Sequence, residues 1–128
     1  MNKKILIVED EWPLLKVLTE EFEREKFTVI QARDGVEGLE SALQNNPDLI
    51  LLDIIMPKMD GIMMLKKLRE DKRGKNVPVI ILTNLNDSET AGEALKNRAY
   101  DYLVKADWRI EDLVKKVSER LNLPQTNP

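Results

Sequence analysis

The stretch from Leu49 to Gly61, LILLDIIMPKMDG, constrains the fold more than any other part of the sequence. It opens with four apolar residues, which are too few for a helix and follow the turn signal Pro47-Asp48. A continuous apolar run bounded by turn residues predicts a strand buried on both faces, as in a parallel sheet. The run ends on Asp53, at the strand end where open α/β sheets bind their ligands. Asp53 is therefore the first candidate site residue.

Length and charge narrow the class of protein. A chain of 128 residues is one domain by the usual length expectation, and 42% apolar with 34% charged residues is typical of a globular protein. The net charge of −3 provides no basic surface, so we expect no direct nucleic-acid binding by this domain. No apolar run approaches the roughly 18 residues of a membrane span, and acids end the first apolar run too early for a signal peptide. We expect a cytoplasmic protein without membrane contact.

The chain contains neither cysteine nor histidine. Disulfides are therefore excluded. Mechanisms of the Ser-His-Asp and Cys-His types are excluded as well, and the usual zinc and copper ligands are missing. Any chemistry must use carboxylates, hydroxyls and lysines, with or without a hard cation.

Five strand–helix units alternate along the sequence. The predicted strands are 5–8, 27–32, 49–52, 79–82 and 102–104, and the predicted helices are 14–26, 36–45, 62–71, 88–95 and 110–121. This alternation favours an α/β fold, a doubly wound five-stranded parallel sheet with helices on both faces. We predict one domain over residues 1–122 and a tail or the start of a linker over 123–128.

Polar residues follow most of the predicted strands. Right-handed crossovers place the carboxyl ends of all strands at one edge of the sheet. Among the common doubly wound orders we predict 2-1-3-4-5, which puts the switch point between the first and third strands, and both of these end in acids. Four strand ends should therefore meet at one edge, and they carry Glu9-Asp10, Asp53, Thr83 and Lys105.

This constellation predicts phosphoryl chemistry. Several carboxylates in one crevice repel each other unless a cation lies between them, and oxygen ligands alone favour Mg²⁺. A carboxylate such as Asp53 can act as a nucleophile towards phosphorus. Transfer then needs alignment and neutralisation of the phosphoryl oxygens, for which Mg²⁺ and the Lys105 ammonium suffice. The Thr83 hydroxyl offers one further donor.

Over nearly its full length the chain resembles the response regulator receiver domain of two-component signalling, with a chemotaxis-receiver-like pattern. The resemblance lies in ILIVED at the start, DIIMPKMDG in the middle, the strand-end Thr83, and YLVK ending on Lys105. It implies a flavodoxin-like (βα)5 fold. It further implies that Asp53 accepts a phosphoryl group from a sensor histidine kinase or a histidine phosphotransfer protein. Such a domain is not an enzyme in the usual sense, because it catalyses only its own phosphorylation and dephosphorylation.

The resemblance also assigns finer roles. Mg²⁺ would be held by Asp10, Asp53 and the backbone carbonyl of Ile55, with Glu9 acting through water. Thr83 would turn towards the phosphate, and Tyr102 would be the aromatic residue coupled to it. The readout would lie on the fourth helix, fifth strand and fifth helix, towards an unspecified downstream target or a phosphorylation-dependent homodimer. The chain would be a stand-alone regulator or the receiver part of a longer one.

Some positions depart from the family pattern. Ala106 stands where the family usually has a proline in a cis peptide bond, and Arg98 stands where a glycine often precedes the fifth strand. Ile55 and Leu85 occupy positions that modulate dephosphorylation in this family, and both are apolar here. We therefore predict slow hydrolysis of the phosphoryl group. Glu11 is interpreted as a solvated acid without a role.

Three other classes of protein compete with this interpretation. A flavodoxin-like cofactor binder needs a phosphate loop after the first strand, where Glu9, Asp10 and Glu11 would repel a phosphate. A Mg²⁺-dependent aspartyl phosphatase of the haloacid-dehalogenase type needs an acid two residues after its nucleophile, where this chain has Ile55. A receiver-like interaction module that is never phosphorylated should have degraded site residues.

Overall fold

The computed structural model describes residues 2–123, which form a five-stranded parallel sheet in the order β2-β1-β3-β4-β5 with helices on both faces. The strands are β1 Lys4–Val8, β2 Thr28–Ala32, β3 Leu49–Leu52, β4 Val79–Thr83 and β5 Asp101–Val104. The helices are α1 Trp12–Arg24, α2 Gly35–Asn45, α3 Gly61–Glu70, α4 Ser88–Lys96 and α5 Ile110–Arg120, with a short 3-10 turn at Lys105–Asp107. The predicted fold class and strand order are confirmed. Residues 124–128 of the predicted tail lie outside the described range.

The sheet separates two apolar cores, because successive strand residues point to opposite faces. In β3, Leu49 and Leu51 pack with side chains of α1 and α5, whereas Ile50 and Leu52 pack with side chains of α2, α3 and α4. All four residues are buried, as the continuous apolar run predicts. Within residues 2–123 no helix combines the length and the apolar character that a membrane span requires.

Helix α4 is the least anchored helix of the fold. Ala94 is its one buried residue, and Leu95 on the same helix is 54% exposed. Its start is fixed locally, because the Asp87 side chain accepts a hydrogen bond from the Thr90 N–H at 2.8 Å. An element with few buried apolar contacts opens at a lower free energy than the rest of a fold. The thin apolar face that the sequence predicts for this helix is thus observed.

Four helices are followed by a residue in the left-handed conformation that is not glycine. These residues are Lys26, Asn46, Arg98 and Asn122, with φ angles of 74°, 48°, 65° and 57°. After α1, the Lys26 N–H donates to the Glu23 carbonyl and the Phe27 N–H donates to the Phe22 carbonyl, each at 3.0 Å. This is the Schellman arrangement, and the Phe22 and Phe27 rings pack edge to face with centroids 5.3 Å apart.

Lys26→Gly is expected to raise the free energy of unfolding by about 1 kcal/mol, because a Cβ disfavours the left-handed conformation that this position adopts. Denaturant unfolding of the variant measures the gain. Lys16→Gly, at an exposed position inside α1, is the matched control and should lower the free energy of unfolding by about 1 kcal/mol. Equal losses in both variants would contradict the prediction.

Candidate functional site

The carboxyl edge of the sheet carries a polar cavity of about 210 Å³. Its lining comes from the ends of four strands and the loops that follow them, and consists of Asp10, Glu11, Asp53, Ile55, Thr83, Asn84 and Lys105. The strands are parallel and in the order that places β1 beside β3, so the residues after these two strands are neighbours. The structure thus brings together the strand-end residues that the sequence singles out.

Asp53 lies at the base of this cavity and is 5% exposed. Its backbone N–H donates to the Val8 carbonyl at 3.1 Å, which continues the pairing of β3 with β1. One carboxylate oxygen, Oδ1, accepts a hydrogen bond from the Ile54 N–H at 2.7 Å. The other, Oδ2, accepts one from the Lys105 Nζ at 3.0 Å. These contacts hold the carboxylate in one orientation.

The Lys105 ammonium is surrounded by three carboxylates. Its Nζ lies 2.9 Å from Glu9 Oε1 and 3.0 Å from an oxygen of each of Glu11 and Asp53. The Lys105 side chain is 12% exposed. Burial alone would lower the pKa of Lys105, but the hydrogen bonds to the three carboxylates outweigh it and raise the pKa well above its ordinary value. Lys105 is therefore a permanent positive charge in this cavity.

Acidic side chains outnumber Lys105 at this edge. Carboxylate oxygens of Glu9, Asp10 and Asp53 lie within 4.8 Å of one another. Burial is the main cause that raises the pKa of Glu9, partly offset by its hydrogen bond from Lys105. Within residues 2–123 the Asp10 side chain has no hydrogen bond or ion pair. An all-oxygen donor set with an excess of negative charge fits the ligand preference of Mg²⁺.

Thr83 and Tyr102 meet at the backbone of a third residue, Leu85. The Thr83 side chain is completely buried, and its Oγ1 accepts a hydrogen bond from the Leu85 N–H at 3.3 Å. The Tyr102 hydroxyl donates to the Leu85 carbonyl at 2.5 Å. Leu85 lies in the loop between β4 and α4, so this loop is tied both to the cavity and to β5.

The loop after β3 requires a glycine at its end. The Gly61 N–H donates to the Ile54 carbonyl at 2.8 Å. A Cβ at Gly61 would lie 2.2 Å from the Asp53 carbonyl oxygen, far inside van der Waals contact. The backbone of α3 therefore approaches Asp53 as closely as it does only because residue 61 is glycine. Ile55, between them, is 61% exposed at the rim of the cavity.

Sequence reasoning missed the contact of Glu11. Its side chain is 59% exposed, in line with a solvated acid, yet its Oε1 pairs with Lys105. No spacing or composition signal distinguishes Glu11 from other surface acids, because its partner lies 94 residues away along the chain. Among residues 2–123 every peptide bond is trans, including that between Lys105 and Ala106, and Lys105 still reaches Asp53.

Comparisons with known proteins identify the family of this chain. Residues 5–118 match the family described as response regulator receiver domain. The chain is 41% identical over 105 residues to the transcriptional regulatory protein SrrA of Staphylococcus aureus. The aligned region covers 82% of this chain and 42% of SrrA. The chain therefore belongs to the response regulator receiver domain family of two-component systems.

Solved structures show the same fold. A CheY-like receiver domain protein from Methanospirillum hungatei JF-1 has a TM-score of 0.88 and 30% identity, with 95% of each chain covered. A chain from the CheX–CheY–BeF3–Mg²⁺ complex of Borrelia burgdorferi has a TM-score of 0.83 and 32% identity, with 93% of this chain and 89% of that chain covered. The present chain spans less than half of the length of SrrA.

Proposed function

We propose that this domain is a phosphorylation-activated switch and that Asp53 is its phosphoacceptor. The observation that carries the proposal is the contact of Asp53 Oδ2 with the Lys105 Nζ at the base of a small polar cavity. The buried carboxylate is held by two donors, and it faces a space large enough for a phosphoryl group. Thr83 and Asn84 line the same space.

The transfer needs few protein groups. An Asp53 carboxylate oxygen attacks phosphorus and forms a P–O bond, while the P–N bond to the histidine of the partner kinase or phosphotransfer protein breaks. The imidazole leaves with the bonding electron pair and takes up a proton from solvent. The Lys105 ammonium stays beside the site and offsets charge on the phosphoryl oxygens. Hydrolysis by water would later return the free carboxylate, so the domain catalyses only its own modification.

Asp10 and Asp53 are the carboxylates that would hold Mg²⁺ directly, together with the Ile55 carbonyl, and Glu9 would act through a water molecule. Bound Mg²⁺ would neutralise oxygens of the phosphoryl group during transfer. The unpartnered Asp10 carboxylate supports this assignment, because it lies near the two buried acids without a contact of its own. The Borrelia burgdorferi complex contains BeF3 and Mg²⁺, which is a further support by similarity.

The contacts of Leu85 support a coupling between the site and the surface formed by α4, β5 and α5. If the Thr83 hydroxyl turns to donate to a phosphoryl oxygen, it gives up its contact with the Leu85 N–H. The Leu85 carbonyl is the acceptor of Tyr102, so a shift of this loop changes the position of the aromatic ring. Two charge-assisted hydrogen bonds to the phosphoryl group would contribute about 1.5–3 kcal/mol each. Together they approach the roughly 5.5 kcal/mol that is needed to shift a two-state equilibrium from about 1:99 to 99:1.

The proposed partners follow from this role. A sensor histidine kinase or a histidine phosphotransfer protein would supply the phosphoryl group in the cytoplasm. A downstream target, or a second copy of the domain, would recognise the surface of α4, β5 and α5. SrrA is a transcriptional regulatory protein, so an attached effector domain is a second way in which such a receiver could act.

Incubation with a small-molecule phosphodonor and Mg²⁺, followed by intact mass measurement, tests the proposal. We expect one phosphoryl addition in the natural sequence and none in Asp53→Asn. Omission of Mg²⁺ should suppress the addition. An unmodified mass would favour the alternative of a receiver-like interaction module that is not phosphorylated, and equal labelling of Asp53→Asn would place the modification elsewhere.

The phosphoryl group is expected to hydrolyse slowly, because the two positions that modulate dephosphorylation in this family are apolar here. Ile55 lines the cavity, and Leu85 follows two residues after Thr83. Ile55 is exposed at the rim, so Ile55→Asn should fold normally and add a polar group there. The variant should shorten the phosphoryl lifetime, followed by the decay of the modified mass after removal of the donor. Val36→Asn, an exposed substitution on α2, should leave the lifetime unchanged. An unaltered phosphoryl lifetime in Ile55→Asn would contradict this explanation.

A further inference from the structure

A second polar cavity, of about 170 Å³, lies at the opposite edge of the sheet from Asp53. It is formed where the loop before β4, the loop before β5 and the last turns of α3 and α5 meet. Its lining residues are Arg69, Lys75, Asn76, Val77, Pro78, Arg98, Tyr100 and Arg120. Four of these are cations and none is an acid, although the chain as a whole has a net charge of −3.

Arg69 lines the cavity and also connects the two loops beside it through hydrogen bonds. Its guanidinium donates to the carbonyls of Val77 at 2.7 Å, of Gly74 and Arg98 at 2.9 Å, and of Asn97 at 3.1 Å. It thereby holds the loop before β4 against the loop before β5. Burial, followed by the nearby charge of Arg98, lowers the pKa of Arg69 to about 10. The positive charges of Arg69 and Arg98 are therefore close enough to repel each other, and neither arginine forms an ion pair within residues 2–123.

The other three cations of the cavity lack a counter-ion in the described part of the chain. Within residues 2–123, no carboxylate lies within ion-pair distance of Lys75, Arg98 or Arg120. The Arg120 guanidinium lies over the Tyr100 ring, with its Cζ 5.0 Å from the ring centroid. Its Nε is the one buried side-chain nitrogen or oxygen in the described chain without a hydrogen-bond partner. Within residues 2–123, three further positive charges thus line one cavity without compensation by a carboxylate.

We propose that this cavity, lined by Lys75, Arg98 and Arg120, binds a phosphate group. Guanidinium groups present paired N–H donors that match phosphate oxygens, and the lysine adds a point charge. The cavity is smaller than the roughly 300–1,000 Å³ of sites for whole small molecules. It therefore accommodates the phosphate of a small phosphomonoester, or inorganic phosphate, with any organic part in solvent. The site is separate from Asp53 and does not depend on its phosphorylation.

Binding can be measured on the full chain by NMR in metal-free buffer at low ionic strength, with inorganic phosphate and glycerol phosphate as probes. Saturable shifts are expected for the backbone amides of Lys75, Val77, Arg98 and Tyr100, with Asp53 unaffected. Tighter binding of glycerol phosphate would identify an organic phosphomonoester as the ligand, whereas equal binding would identify the phosphate group alone. Saturation by sulfate with equal affinity would identify a general oxyanion site and overturn the phosphate assignment.

Charge-removing variants separate this cavity from general attraction of anions. Arg98→Asn removes a cation at a position with positive φ that asparagine tolerates, and Lys75→Gln changes an exposed side chain. Each is expected to weaken phosphate binding about tenfold, the effect of losing one charge-assisted contact. Lys115→Gln removes an exposed cation of α5 outside the cavity and should change the affinity less than twofold. No saturation, shifts centred on Asp53, or equal weakening by all three variants would overturn the proposal.

Discussion

Lys105→Met is expected to lower the free energy of unfolding by about 3 kcal/mol in metal-free buffer, because it leaves buried carboxylates without their cation. The Glu9 and Asp53 side chains are 3% and 6% exposed, and both contact the Lys105 Nζ. Solvent cannot compensate for the lost ammonium at such burial. Urea unfolding followed by circular dichroism measures the loss.

Mg²⁺ should restore much of this stability in Lys105→Met. With the ammonium removed, the acidic cluster has no competing cation, so Mg²⁺ should bind the variant more tightly than the natural sequence. A ligand that binds only the folded state raises the free energy of unfolding with its concentration. Trp12, two residues from Asp10 and 47% exposed, provides a fluorescence signal for the titration. Phosphorylation should nonetheless be slower, because Lys105 no longer offsets charge at the site.

Lys16→Met serves as the control for this experiment. Lys16 is exposed on α1 and forms no ion pair within residues 2–123, so its replacement should change the free energy of unfolding by less than about 0.5 kcal/mol. If Lys105→Met were as stable as Lys16→Met without Mg²⁺, the carboxylates would not depend on the ammonium. If Mg²⁺ stabilised neither protein, the acidic cluster would not be a magnesium site.

Gly61→Ala is expected to destabilise the domain by about 3 kcal/mol and to slow phosphorylation, because the new Cβ overlaps the Asp53 carbonyl oxygen. The overlap is with backbone, which cannot move aside as the end of a flexible side chain can. Relief requires a shift of α3 or of the loop that carries Asp53 and Ile55. Thermal unfolding and the rate of modification by a phosphodonor are the two measurements.

Gly92→Ala is the matched control, because a Cβ at Gly92 meets no atom within 4 Å. Gly92 lies inside α4, where alanine is favoured over glycine by about 0.5–1 kcal/mol. We therefore expect this variant to be more stable than the natural sequence by that amount. Similar stabilities for the two variants would mean that the close approach at Gly61 is relieved without cost.

The sequence by itself determined the architecture and the candidate site residues. The continuous apolar runs of β1, β3 and β4 indicate strands buried on both faces, and their alternation with helices leaves few topologies. Parallel strands then bring Asp10, Asp53, Thr83 and Lys105 to the carboxyl edge of the sheet. This result does not depend on the exact residues at which the strands begin and end. These features depend on periodicity and chirality, which are local properties of the chain, and the sequence alone therefore determines them.

Only the tertiary structure decided which charged groups pair. From the sequence Glu11 is interpreted as a solvated acid, yet it contacts Lys105, whereas the Asp10 carboxylate has no partner within residues 2–123. Nothing in the sequence places Lys75, Arg98 and Arg120 together, and only folding brings them into one cavity that no acid lines. Coulomb interactions depend on distance and burial rather than on separation along the chain. For that reason the strand ends in the sequence indicate the candidate site residues but do not indicate which charged groups they contact.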